Sequence, residues 1–399
     1  MIPRRRLTLD MADLADWLRA PFTSPAAAAA EVSAFEREFA QAIGVPHAVA
    51  VASGRDALCL IIDGLGLKAG DEIVIPAYTL GELLPLLSER GLVLVPADID
   101  PATYNMTVES VRKAITPRTR AILALHLLGV PCDIAGLCGL GLPVIEDCAH
   151  APGATVDGRP VGSFGVAALF SLEANKALSA FGGGVMTTRD DALAAKVRSA
   201  LEGRPRREWP AMKKMLLKWV EEMMVRSPLY AVAARLMFGG DRAGRFEQFY
   251  RQANNRVRPK VAFSGMQARM GRRRLKGIAA RQARLEPLWE KLARALPPGF
   301  EAQQRTHCGA PVFYNFVARF RGDLNQFRKR ALAQGLDVGI FGEVMDDTAR
   351  MLGHEGCPRS AEVYRQAVLL PLYDGMTEAR LDWVIDRLRG IAASVQEQR

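Results

Sequence analysis

The sequence predicts an α/β fold, a mostly parallel central sheet covered by helices on both faces, followed by a smaller C-terminal α+β domain. Three observations lead there. Between His47 and Leu201, short apolar strands alternate with helical patterns of about ten residues, the spacing of parallel crossovers. Strand segments such as Asp71–Ala77 (DEIVIPA) and Arg120–Leu125 (RAILAL) carry runs of apolar residues with no strict apolar/polar alternation, as strands covered on both sides do. After a long basic helical segment, the end of the chain mixes strands and helices.

Two helical stretches open the chain, and the second, Ala26–Ile43, runs into Gly44, a residue that readily ends a helix. His47–Ala52 reads as an apolar strand, and SGRDALCLIIDGLG as a helix beginning at Ser53-Gly54. Strands follow at Asp71–Ala77, Leu92–Ala97, Arg120–Leu125 and Leu142–Glu146, with helices at Leu83–Arg90 and Val108–Ile115 between them. Ala167–Ser171 and Val185–Thr188 add two strands, and Asp190–Leu201 closes this part as a helix. The pattern breaks at Gly203-Arg204-Pro205. From Met212, apolar residues recur through Met215, Trp219, Val220, Met223 and Met224 in a helical rhythm, and Pro228–Phe238 adds apolar bulk. A basic helix from Phe263 to Leu296 leads into a strand at Val312–Phe320. Domains are expected at 1–260, with a basic amphipathic insertion at 204–260 separable from the core, and at 261–399.

At 399 residues, 49% hydrophobic and 24% charged, the chain has material for a large core and no bias toward disorder. The opening MIPRRRLTLDMADLADWL lacks an apolar run behind its basic residues, so it does not read as a secretory signal. No stretch reaches the ~18 uninterrupted apolar residues of a spanning helix. Six scattered cysteines without a CxxC pair are expected to be reduced cytoplasmic thiols. The net charge of +10 is uneven: Arg204–Lys276 holds 19 lysines and arginines against 5 acidic residues, so the rest is slightly acidic. Such a window suits a solvated face, a phosphorylated substrate or an anionic membrane.

The chemistry concentrates in PVIEDCAHAPGA and FSLEANKALSAFGGGVMTT. Asp147 follows a buried strand, at the sheet edge where open α/β folds bind ligands. Lys176 follows a later strand and precedes a glycine run that lets backbone approach a flat ligand. Ser171, five residues before it, offers a hydroxyl, and Ser53-Gly54-Arg55 opens a helix whose positive end suits a phosphate. A lysine to bind an aldehyde, a carboxylate to pair with a pyridinium nitrogen and donors for a phosphate are the anchors that pyridoxal phosphate requires. GLCGLG (Gly136–Gly141) has the wrong spacing for a dinucleotide loop. Cys148 with His150, and His354 with Cys357, lack the second pair of a structural zinc site, so no metal is expected.

The succession VASGRDALCLIIDGLGLKAGDEIVIPAYT, VPADIDPATYNM, RTRAILALHLLGVPCDI, VIEDCAHAPGA and SLEANK…GGGVMTT resembles the DegT/DnrJ/EryC1/StrS family from about Ala30 to Leu201, and more weakly from Phe263 onward, where LLPLY (Leu369–Tyr373) is similar to a closing motif. The resemblance implies a fold-type-I pyridoxal-phosphate aminotransferase acting on nucleotide-linked keto-sugars, with glutamate as amino donor, working as a homodimer. It implies that Lys176 binds the cofactor covalently, Asp147 pairs with its ring nitrogen, His150 lies near its ring hydroxyl, and Ser53, Gly54 and Ser171 hold its phosphate. His126 matches a family histidine and reads equally as a satisfied core residue. Three positions depart from the pattern. Arg55 stands where the family commonly has Thr, and either contacts the phosphate or faces away. Leu80 replaces an aromatic ring over the cofactor, with Tyr78 nearby. The basic insertion replaces an Asn-Tyr-Arg segment that reaches the partner subunit, leaving Asn254, Asn255 and Arg256 as candidates.

Retention of Lys176 argues against the related sugar dehydratases, which carry histidine there. A second reading keeps the chemistry on a lipid-linked or membrane-proximal keto substrate, with the 204–260 insertion meeting the inner face of the membrane. A nucleic-acid-binding regulator using the Arg258–Lys276 charge, with its adjacent Arg272–Arg274, is the weakest reading, because no helix-turn-helix or zinc finger accompanies that charge.

Overall fold

The structure, a computed structural model, describes residues 1–238, 261–306 and 309–396, so Asn254, Asn255 and Arg256 lie outside the described residues. A seven-stranded sheet forms the centre of the large domain. Its order is His47–Val51, Gly184–Thr188, Ala167–Ser171, Val144–Asp147, Thr119–Leu125, Glu72–Pro76 and Val93–Ala97. From Ala167–Ser171 to Val93–Ala97 every pairing is parallel. Gly184–Thr188 runs antiparallel to both of its neighbours. Residues 172–183 join it to Ala167–Ser171 without a crossover helix, so it returns beside the strand it left.

Successive strand residues enter opposite cores, as the pleat requires. Val74, Ile122 and Ala124 pack with Phe35, Phe39 and Met270 on one face. Ile73, Ile75, Leu123 and Leu125 pack with Leu58, Ile61 and Ile62 of the helix Gly54–Leu65 on the other. Both early helices end or begin on the expected signals: Pro25–Ile43 stops at Gly44 in the left-handed conformation, and Ser53 caps Gly54–Leu65.

The small domain holds a four-stranded antiparallel sheet, ordered Phe300–Ala302, Phe316–Phe320, Ala367–Leu370, Gly339–Ile340. Its own core includes Phe316, Phe320, Phe327 and Leu388. The helix Gly265–Ala295 links the domains, with Met266 and Met270 in the large core and Leu292 in the small one. Two expectations shift here. The strand foreseen at Val312 begins at Phe316, and Tyr314, just before it, belongs to the site below. Residues 2–4, assigned by position to the large domain, join the small one: Ile2 bridges Leu336, and Arg4 pairs with Asp337 and Glu343.

The insertion is not separable from the core. Its helix Trp209–Arg226 buries Met212 and Met215 in the large-domain core, while the following helix Leu229–Phe238 ties to the small domain through Tyr230 Oη, which donates to Asp337 Oδ2 at 2.5 Å. Arg272, Arg273 and Arg274, read as a candidate nucleic-acid contact, turn inward: Arg272 pairs with Glu31 and Glu38, Arg273 with Asp13 and Asp16, and Arg274 with Asp13.

Candidate active site

The sheet delivers Asp147 and Ser171 as the last residues of two adjacent parallel strands. Asp147 is buried; its Oδ1 accepts the Ala149 amide at 2.9 Å, and no other hydrogen bond to its side chain occurs among the described residues. Burial pushes its carboxyl upward, opposed by that amide and by the positive charge of Lys176. A buried carboxylate with an oxygen to spare is suited to a cationic N–H partner.

Lys176 sits in the 172–183 loop. The loop is held shut by the Leu172 carbonyl, which accepts the amides of Ala180 and Gly182 at 2.9 Å, and by Arg274, whose guanidinium donates to the Ser179 carbonyl at 2.9 Å. Lys176 Nζ lies 5.8 Å from the centre of the Tyr314 ring, and the same ring stacks on His150 at 5.3 Å. His150 Nδ1 accepts the Leu128 amide at 3.3 Å, which assigns the ring proton to Nε2. Burial, with Lys176 and Arg5 adding positive charge, holds His150 well below the usual histidine value, so the ring is neutral near pH 7.

The phosphate end is built by close backbone approach. A Cβ on Gly54 would lie 3.0 Å from the Cβ of Ser171, and one on Gly184 would lie 2.6 Å from the Gly54 nitrogen. Glycines at these positions let the helix N-terminus abut the Ser171 strand. The glycine run after Lys176, expected to approach the cofactor, is therefore used against protein: Gly183 also meets the Phe263 ring. The Ser53 hydroxyl accepts the Asp56 amide at 3.0 Å as the helix cap, which leaves its O–H as the group it can offer a phosphate. Ser171 Oγ makes no hydrogen bond among the described residues, and with the helix dipole it adds to what this end offers an anion. Arg55 reaches Glu82 at 3.5 Å.

Tyr78 does not replace the missing aromatic ring. It is fully buried in the core, edge-on to Tyr104 at 6.2 Å. His126 resolves as a satisfied core residue. Its Nδ1 accepts the Cys132 amide at 3.2 Å and its Nε2 donates to Glu146 at 3.2 Å, while Glu146 accepts the amides of Gly162, Phe164 and Gly165 at 2.8 Å each. Cys148 lies beside this pair, within 4.8 Å of its nitrogen and oxygen atoms.

Three contributors were not foreseen. Tyr314 has a faint signal, an aromatic cluster (PVFYNF) just before a strand. Arg5 has none. Lys214, from the insertion, pairs with Glu173 in the lysine loop. Burial disfavours the Glu173 charge, but Lys214 more than offsets this and holds the carboxyl below its usual range.

The sequence profile of the DegT/DnrJ/EryC1/StrS aminotransferase family matches residues 24–389. The chain belongs to this family. Among its relatives, a UDP-N-acetyl-3-dehydro-alpha-D-glucosamine 3-aminotransferase of Acidithiobacillus ferrooxidans is 43% identical over 170 residues, 41% of this chain and 46% of that protein, so the match spans about half the length of that curated relative. The spore coat polysaccharide biosynthesis protein SpsC of Bacillus subtilis is 28% identical over 90% of this chain and 89% of its own. The solved structure of DesV from S. venezuelae, in complex with a ketimine intermediate, aligns with a TM-score of 0.74 at 27% identity, covering 97% of this chain and 99% of DesV. DegT/DnrJ/EryC1/StrS aminotransferases use pyridoxal phosphate, and the residues present fit it. The donor set is a buried carboxylate at Asp147, an Nε2–H on His150, the Ser171 hydroxyl beside the Gly54 helix end, and the Lys176 amine.

Proposed function

We propose that this chain is a pyridoxal-phosphate aminotransferase that transfers an amino group from glutamate to a keto group of a nucleotide-linked sugar, as a cytoplasmic homodimer. The convergence of Lys176 and His150 on one tyrosine ring, beside a buried Asp147 with a free oxygen, carries this reading. Bound there, the cofactor would supply a covalent hold on the substrate nitrogen and a sink for electrons from the neighbouring carbon. Asp147 would keep the ring nitrogen protonated, a role its burial strengthens by sharpening any charge pairing. Lys176 Nζ is the amine placed to move a proton at the reacting carbon. Neutral His150 would donate through Nε2 while Leu128 fixes its tautomer, and Tyr314 would hold its ring plane. The homodimer and the glutamate donor are supported by the family resemblance, and the nucleotide-linked acceptor also by the names of relatives such as the one from Acidithiobacillus ferrooxidans.

The test separates the two half-reactions. Purified protein with bound cofactor should lose its long-wavelength absorbance when glutamate is added and regain it with a nucleotide-linked keto-sugar. Light scattering should give a dimer. No spectral response to any amino acid would overturn the aminotransferase reading, and full activity in a monomer would overturn the assembly.

A further inference from the structure

The helix pair 209–238 is apolar on two sides. Its inner side, with Met212 and Met215, belongs to the core. Its outer side exposes a second stripe: Leu216, Leu217, Val220, Met223 and Met224 on the first helix, with Met223 70% exposed. The second helix turns out Leu229, Val232 and Leu236, spaced at i, i+3 and i+7. Soluble surfaces scatter such residues singly, whereas a stripe of this density marks a contact.

The charge around the stripe selects the partner. Exposed Lys213 sits within it, and Arg206 and Arg207 precede it; none of the three has an ion-pair partner among the described residues. The pair's two acidic side chains are already engaged, Glu221 by Lys218 and Glu222 by Arg6 and Arg226. A second copy of the chain is a poor occupant, because a two-fold contact sets the same basic patch against itself. An apolar stripe interleaved with basic side chains is what a helix lying in an anionic lipid interface presents.

We infer that the outer face of the 209–238 helix pair docks this protein on an anionic lipid surface. Apolar side chains enter the headgroup boundary, and Lys213, Arg206 and Arg207 meet lipid phosphates. The same helix meets the lysine loop through the Lys214–Glu173 ion pair, and none of the side chains assigned to docking takes part in that pair. The vesicle test below and the half-reaction test above therefore fail independently.

Full-length protein with bound cofactor is floated with vesicles of phosphatidylcholine alone, and of phosphatidylcholine and phosphatidylglycerol at roughly 7:3. Binding is expected only on the anionic vesicles, and it should weaken in high salt. Replacing Leu216, Val220 and Met223 together by Ser, or Lys213 by Glu alone, should reduce it about tenfold or more while cofactor absorbance and the unfolding midpoint stay at wild-type values. No binding by the wild-type protein, or undiminished binding by both variants, overturns the inference. So does a change of oligomeric state in the triple variant, which would show that a second copy covers this face.

Discussion

The loop carrying Lys176 and the helix pair 209–238 touch through one ion pair, yet they are specified in opposite ways. Strands that a sheet buries on both faces bound the loop, so each apolar residue there has a defined side. The helix pair has apolar residues almost all round, and nothing in that pattern says which of them the protein keeps. Met212 and Met215 go in and Met223 and Met224 stay out, although the four share one helical rhythm. A periodic stripe thus establishes that a helix forms and leaves its orientation to the neighbours it meets.

The largest effect expected is on the loop side. Lys176→Ala should fold normally but lose the glutamate half-reaction by about a thousandfold or more, because no other amine is placed at the site. Stopped-flow absorbance would measure it, and appreciable residual turnover would move the essential amine elsewhere. Next comes the contrast within the helix pair. Met215→Ala should destabilise by about 2–5 kcal/mol, since its side chain is fully buried. Met223→Ser should change stability by no more than about 0.5 kcal/mol. Equal midpoints in denaturant for the two variants would erase the distinction between the faces.

A smaller effect should appear with pH. His150 is held well below the usual histidine value in the fold, while the unfolded chain takes up a proton near that value. Below the unfolded value the unfolded state therefore binds more protons, and stability falls as pH falls, by up to about 1.4 kcal/mol per pH unit from this group. His150→Asn should flatten that slope between pH 7 and 5 relative to wild type; an unchanged slope would mean that the ring titrates normally. The smallest effect concerns the contact between the regions. Glu173 and Lys214 are each about a third exposed, 31% and 40%, so a double-mutant cycle with Glu173→Gln and Lys214→Met should give a coupling of about 1 kcal/mol or less. A larger value would mean that the insertion braces the lysine loop more firmly than a solvent-screened pair can.

Much of the fold was legible because its signals are local. Gly44, Ser53 and the apolar strand segments bound their elements wherever they fall in space. Val185–Thr188 reads as a strand from its apolar residues, whereas its extension to Gly184 and its antiparallel direction came from the pairing with its neighbours. Asp147 and Ser171 were legible as strand-end residues, and Lys176 as a residue of the loop that follows, because strand ends are marked by local pattern. Tyr314 and Arg5 were not, because each lies in an irregular stretch without a hydrophobic period or motif and meets His150 only through a long-range contact.

By itself, then, the sequence determined the alternation of elements, the residues at the sheet's ligand-binding edge and the family to which they belong, because hydrophobic period, capping residues and motif order act over short stretches. The tertiary structure alone decided which groups those residues meet. It made Ser53 the cap of its helix and left Ser171 free, paired the arginines of the long helix with Asp13, Asp16, Glu31 and Glu38, and set His150 neutral beneath Tyr314. It also turned one apolar stripe of the insertion inward and the other to the outside. Each of these outcomes rests on partners far apart in the chain, and burial and charge pairing take effect only when folding has brought such partners together.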